Sequence, residues 1–261
     1  MVRKELQYRL SLILYIGAIF ILGFIPEVKV LPIHFDLSFL FHGVGFFYLY
    51  LMLYNTTRSK LKALILSLLF GVLLEAAQTQ FPERQADITD IFYDLVGILV
   101  AFIIGSRGKE LVFKLTGTFM GIGYIPVGPG TISSLIFVIL YYLASGFGTI
   151  NLLEISLVLI PLGIYISGYL EELWGEDPRK VVIDEVCGMA IALLFLKRSL
   201  LLFALAFILF RFFDIYKPCF IKIFEKPKGG MGIMLDDVAA GLFSLAIIQI
   251  LLFLLHTVPP V

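Results

Sequence analysis

Charge is what this chain has least of: Asp, Glu, Lys and Arg make up 15% of its 261 residues, against 60% hydrophobic residues. That balance is far from the soluble globular average. Basic and acidic residues number 20 each, so the formal net charge is zero and no basic field exists to draw nucleic acid. Only two cysteines are present, Cys187 and Cys219, which excludes a disulfide framework or a thiolate metal site; both are expected to pack as small apolar residues. Internal repeats and low-complexity tracts are absent. A cleavage site is missing too: Arg3, Lys4 and Arg9 precede an apolar run to Ile25 in the manner of a signal peptide, but Pro26, Glu27 and Val28 follow instead of small residues. The run therefore reads as an uncleaved first span.

What is there in abundance is long apolar sequence, with mean hydropathy +0.99. Each bilayer crossing needs about 20 mostly apolar residues, and the runs predict an all-α, polytopic integral membrane protein. Candidate helices cover Leu10–Ile25, Leu37–Tyr54, Ala63–Thr79, Ile91–Ile104, Ile132–Phe147, Leu152–Leu170, Val186–Leu196, Leu200–Phe213 and Val238–Leu255. Several in the C-terminal half are short for a full crossing, and Val186–Phe213, interrupted by Lys197 and Arg198, reads as a hairpin that dips into the bilayer. Three basic groups fall on alternate loops: Arg3, Lys4 and Arg9; Arg58, Lys60 and Lys62; Arg107, Lys109 and Lys114. By the positive-inside rule they lie in the cytoplasm, which carries the segments 170–185 and 214–237 to that side as well. The glycines and charges between Ile104 and Lys114 mark a boundary, giving domains 1–106 and 107–261.

In the first half, the stretch EAAQTQFPERQADITDIFYDLVG places Glu75 with Gln78, and Asp87 with Asp90 and Asp94, at helical spacing in apolar surroundings. Such sets form either a polar helix contact or a ligand cleft on the outer face, with Arg84 available to neutralise carboxylates. The stretch resembles the VanZ-like membrane family through Glu75, Gln78, Arg84, Asp87 and Asp90, with His42 upstream. Asp94 stands where that family has Asn, and Ser38 where it has Asp. The resemblance covers about residues 31–104 and implies a four-helix membrane module of unassigned chemistry; His42 reads as a hydrogen-bonded buried imidazole.

Four polar clusters follow in the second half. In GIGYIPVGPGTISS, glycines and prolines forbid a regular helix and Thr131 is placed to cap the next one. Backbone amides around Gly128, Pro129, Gly130, Thr131 and Ser134 then face either an anion or merely a re-entrant turn. No Walker motif is present. In EDPRKVVIDEVCG, Asp177 and Pro178 read as an N-cap and first helical residue, with Asp184 and Glu185 opening an apolar run. FRFFDIYKP puts Arg211, Asp214 and Lys217 on one face at a helix end stopped by Pro218. KGGMGIMLDDVAAG has Gly229, Gly230 and Gly232 ahead of Asp236 and Asp237, which open the last helix.

Taken together, five carboxylates suit a hard cation, Mg²⁺ being the natural choice beside a phosphate. Histidine and cysteine are missing from usable spacing, which weighs against zinc. The chemistry suggested is metal-assisted phosphoryl transfer to water at the inner leaflet. In order and spacing the four segments resemble the motif set of the phosphatidylglycerophosphatase A family, GxGxxPxxPGTxGS, DExxG, FRxFDxxKP and GGxGxxxDDxxAG, with Ser133 in place of a glycine. The resemblance covers about residues 109–256. It implies Mg²⁺-dependent hydrolysis of phosphatidylglycerophosphate in a bacterial inner membrane. It further implies that Asp184, Glu185, Asp214, Asp236 and Asp237 bind metal or activate water, that Arg211 and Lys217 hold phosphate, and that the glycine-rich loops contact substrate. The sequence motifs of cysteine-based, haloacid-type and histidine-based phosphatases are all absent. A transporter or lipid-binding protein using the same intramembrane carboxylates is the alternative of a different class.

Overall fold

In the computed structural model, residues 2–24, 38–80, 88–144 and 146–257 are described, and their regular structure is entirely helical. The chain forms two compact units, Met1–Phe113 and Lys114–Val261. Four helices are long and apolar enough to cross a membrane, or five with a broken pair counted as one span. Many large side chains point outward, among them Ile103, Leu201, Ile208 and Phe253. In water that surface would drive association; in a bilayer it is the ordinary lipid-facing coat.

The first unit holds α1 (Val2–Leu22), α2 (Ser38–Thr57), α3 (Lys60–Gln78) and most of α4 (Ile88–Gly117). The apolar part of α4 ends where expected, at Ile104: Gly105, at φ 59° and ψ −155°, is non-helical and kinks the chain, and a second, charged helical segment continues to Gly117. Helices α2 and α4 touch backbone to backbone, since a side chain at Gly97 would strike the Gly43 carbonyl. Such small-residue contacts are how helices approach closely in lipid.

The second unit comprises the end of α4, a 3₁₀ turn at Ile122–Tyr124, α5 (Pro129–Leu143), α6 (Thr149–Trp174), α7 (Ile183–Ala192), α8 (Leu200–Tyr216), the single turn α9 (Cys219–Lys222) and α10 (Gly230–Thr257). Helix α10 packs against α6, α7 and α8, and α7 also meets α5. At ten residues, α7 is about 15 Å long and cannot cross a bilayer. Arg198, awkward for a spanning hairpin, donates to the carbonyls of Tyr142 (3.1 Å), in the last turn of α5, and Phe147 (2.5 Å), just past it.

Three local expectations are corrected. Asp177 and Pro178 do not start a helix. Asp177 sits at φ 45°, and the Val182 amide bonds to the Gly117 carbonyl at 2.8 Å, which delays α7 to Ile183. Thr131 is not the cap of α5, because Gly128 caps it in the left-handed conformation with Pro129 as first residue, leaving Thr131 inside the first turn. The last helix begins at Gly230 rather than near Val238. Gly229, at φ 81°, turns the chain, and its carbonyl accepts from the amides of Gly232 and Ile233. Asp236 and Asp237 therefore lie in the second turn of α10 instead of opening it. Of the cysteines, Cys187 is buried as expected and Cys219 is exposed.

Candidate active site

Two glycines fix the site. Helices α7 and α10 cross at Gly188 and Gly241: a β-carbon on Gly188 would lie 2.5 Å from the Asp237 carbonyl and 2.5 Å from the Phe210 ring, and one on Gly241 would strike the Gly188 carbonyl. Residues one turn upstream of such a contact are brought side by side. On α7 these are Asp184 and Glu185; on α10 the corresponding residue is Asp237. One carboxylate oxygen from each of the three lies within 4.8 Å of the others. Phe210, fully buried against Gly188, anchors α8 so that its next turn delivers Arg211 and Asp214 to the same place.

The remaining charges surround this triad. Asp214 lies beside Asp237 and pairs with Arg211 at 2.5 Å. Lys217 ends α8 in the left-handed conformation, φ 41°, an uncommon geometry for a residue with a side chain. From there its Nζ reaches Asp236 at 2.6 Å and Glu225 at 2.8 Å. Burial alone would lower the Lys217 pKa, but the hydrogen bonds to Asp236 and Glu225 outweigh it and raise the value, so the ammonium stays charged. Asp184 and Glu185 stand side by side; burial, then the adjacent Glu185, holds Asp184 well above the usual carboxylate range, and burial raises Glu185 too.

This arrangement suits a hard divalent cation. The donors are all oxygens, and Asp184 Oδ1, Glu185 Oε2 and Asp236 Oδ1 are buried with no hydrogen-bond partner, a state costly to leave without a compensating charge. Glycine at position 130 leaves the room: the Glu185 carboxylate occupies the space a β-carbon there would take. It thereby rests at the N-terminal end of α5, where the helix dipole favours negative charge.

Of the residues singled out from the sequence, Asp184, Glu185 and Asp237 converge directly. Asp214 joins through Asp237 and Arg211, and Asp236 is engaged by Lys217. Ser134 is turned inward: its hydroxyl donates to the Gly130 carbonyl at 2.8 Å, as does that of Ser133, so both brace α5. Thr131 is half-buried, Gly128, at the mouth of the loop, is exposed, and Gly229 with Gly230 forms the turn entering α10. Glu225 was invisible in the sequence, where it is one charge among several in a loop; only the fold of Lys217 back over α9 reveals it. In the first unit, His42, Glu75 and Asp90 come together, whereas Gln78 leaves them to donate to the Gly23 carbonyl at 2.7 Å. Arg84 and Asp87 lie outside the described residues.

A family model described as phosphatidylglycerophosphatase A matches residues 115–252. A putative phosphatidylinositol-3-phosphatase of Bacteroides thetaiotaomicron is 40% identical over 52% of this chain and 91% of its own length. The phosphatidylglycerophosphatase A of Escherichia coli is 34% identical over 52% of this chain and 81% of its own; that of Haemophilus influenzae is 37% identical over 49% and 81%. No solved structure matches. The matched span contains all four segments that meet at the α7–α10 crossing, and the chain belongs to the phosphatidylglycerophosphatase A family.

Proposed function

We propose that the second unit hydrolyses the phosphomonoester of phosphatidylglycerophosphate, releasing phosphatidylglycerol and inorganic phosphate, at the cytoplasmic leaflet of a bacterial inner membrane. The observation that carries this reading is the triad of Asp184, Glu185 and Asp237 within 4.8 Å, flanked by Arg211 and Lys217, in a chain of this family. The triad would hold Mg²⁺, with Asp214 and Asp236 beside it; bound there, the ion supplies Lewis-acid stabilisation of the phosphoryl charge. Arg211 and Lys217 offer cationic donors to the phosphate oxygens. Asp214, oriented by Arg211, accepts the proton of the attacking water. The oxygen of that water bonds to phosphorus as the ester P–O bond breaks, and the proton passes to the departing glycerol oxygen, so water is divided between the two products. The cytoplasmic placement rests on the three basic groups on alternate loops. The first unit we read as a VanZ-like module.

The test is phosphate release by the purified full-length protein in detergent, with Mg²⁺ and after chelation. Hydrolysis that stops on chelation and returns with Mg²⁺ is expected; a transporter would turn over nothing in detergent. The Bacteroides thetaiotaomicron relative, at 40% identity, favours one rival substrate, phosphatidylinositol 3-phosphate. Comparing kcat/KM on that lipid, on phosphatidic acid and on phosphatidylglycerophosphate decides among them, and a preference for either of the first two overturns the assignment.

Two further outcomes follow from the geometry. Alanine at Gly130 displaces the Glu185 carboxylate, and a displacement of about 1 Å costs on the order of 10²-fold in rate. Phosphate release by Gly130→Ala should fall by that amount with little change in the unfolding temperature. Exposed Cys219, beside Lys217, should react with a membrane-impermeant maleimide in inverted vesicles and not in intact spheroplasts, with buried Cys187 silent in both. Labelling from the outside would reverse the proposed orientation.

A further inference from the structure

The polar cluster of the first unit has the build of a second, chemically different metal site. The Gly43–Gly97 contact sets His42 of α2 against the turns of α4 that carry Asp90 and Asp94. His42 Nδ1 lies 2.9 Å from Asp94 Oδ1, and its Nε2 lies 3.5 Å from Asp90 Oδ2. Glu75 arrives from α3, and one donor atom each of His42, Glu75 and Asp90 falls within 4.8 Å of the others. Glu75, Asp90 and Asp94 are all at most 5% exposed.

Two features point to a bound cation. First, the His42 ring is arranged as metal-ligating imidazoles are. With Nδ1–H donating to Asp94 Oδ1, the tautomer is fixed and the Nε2 lone pair faces Asp90 and Glu75. The 3.5 Å gap between Nε2 and Asp90 is long for a hydrogen bond, but close to the edge of about 3.0–3.4 Å between two donors that each sit about 2.1 Å from one ion. Second, the other oxygen of Asp94, Oδ2, is buried with no hydrogen-bond partner. It is turned toward Gly71, where a β-carbon would lie 3.1 Å from it, one helical turn before Glu75 on α3. Asp94 is thus held with one oxygen on the imidazole and the other buried and unpartnered.

We propose that His42, Glu75 and Asp90 bind a divalent transition-metal ion such as Zn²⁺, with Asp94 positioning His42. The imidazole nitrogen distinguishes this set from the all-oxygen triad of the second unit and shifts preference away from Mg²⁺. Because its three ligands come from α2, α3 and α4, the ion ties those helices together. The proposal is independent of the reaction assigned to the second unit.

The experiment uses full-length protein in detergent, stripped with a chelator and titrated with Zn²⁺ in excess Mg²⁺, which occupies the all-oxygen triad. Bound zinc is counted by elemental analysis, and Co²⁺ substitution gives a visible spectrum of the coordinated site. One equivalent is expected in the unaltered protein and in Asp237→Asn, and none in His42→Ala or Glu75→Gln. Asp94→Asn, which keeps the side-chain size, should bind about 10–100-fold more weakly while its gel-filtration profile stays unchanged. Failure of the unaltered protein to take up zinc overturns the proposal. So does an equivalent that survives both His42→Ala and Glu75→Gln, or one lost on Asp237→Asn.

Discussion

Asp237→Asn should reduce phosphate release by at least about 10³-fold and leave the metal-free protein as stable as the original, or more so. The loss follows from removing one of three converging carboxylates, the kind of charged group aimed at the reacting centre whose deletion costs about 10²–10³ in rate or more. The stability expectation follows from the same crowding. Five carboxylates, Asp184, Glu185, Asp214, Asp236 and Asp237, crowd one site, and among the described residues Arg211 and Lys217 pair with them as cations. Asparagine can donate to the adjacent Asp214 carboxylate and removes one negative charge from the group. Phosphate release and thermal unfolding in detergent, both read against chelator-treated samples, check the two halves together. Activity within tenfold of the original would remove Asp237 from the site.

Gly188→Ala is expected to damage both fold and activity. Its added methyl would lie 2.5 Å from the Asp237 carbonyl and from the Phe210 ring. Backbone cannot yield as a flexible side-chain end does, so α7 must retreat from α10. Overpacking of this kind costs about 1–3 kcal/mol, and the retreat separates Asp184 and Glu185 from Asp237. A lower unfolding temperature together with a loss of metal-dependent turnover is the expected pair of results. Gly17→Ala, where an added methyl meets nothing within 4 Å, serves as the matched control; equal behaviour of the two variants would show that the crossing does not set the site.

The helices and the catalytic unit were legible in the sequence because lipid demands long apolar runs and because charges within them are conspicuous. The partners of those charges were not. Gly188 and Gly241 can be read as small residues, but a glycine's role is defined by what faces it, and that lies on another helix. The start of α10 was misplaced because GGMG reads as a loop. Gly232 is instead held helical, its backbone pressed against the Pro227 carbonyl, where a side chain would not fit. Lys217 and Glu225 meet only because the chain reverses after Pro218, and His42 meets Asp94 only because two helices touch at Gly43 and Gly97. Distances of this kind belong to tertiary structure, and no local pattern encodes them.

The shortness of α7 has a consequence for how the site forms. An isolated helix of ten residues is unstable in water even with favourable composition, so α7 holds its shape only while its glycine face is seated on α10. Two of the three converging carboxylates therefore exist as ligands only in the docked state, and the undocked chain has no comparable affinity for a cation. With Mg²⁺ held there as proposed, ion binding and closure of the second unit would be one linked equilibrium, in which the free energy of binding is also free energy of folding. On that reading, the protein's tolerance of destabilising change in this unit would be set by how much divalent cation its surroundings supply.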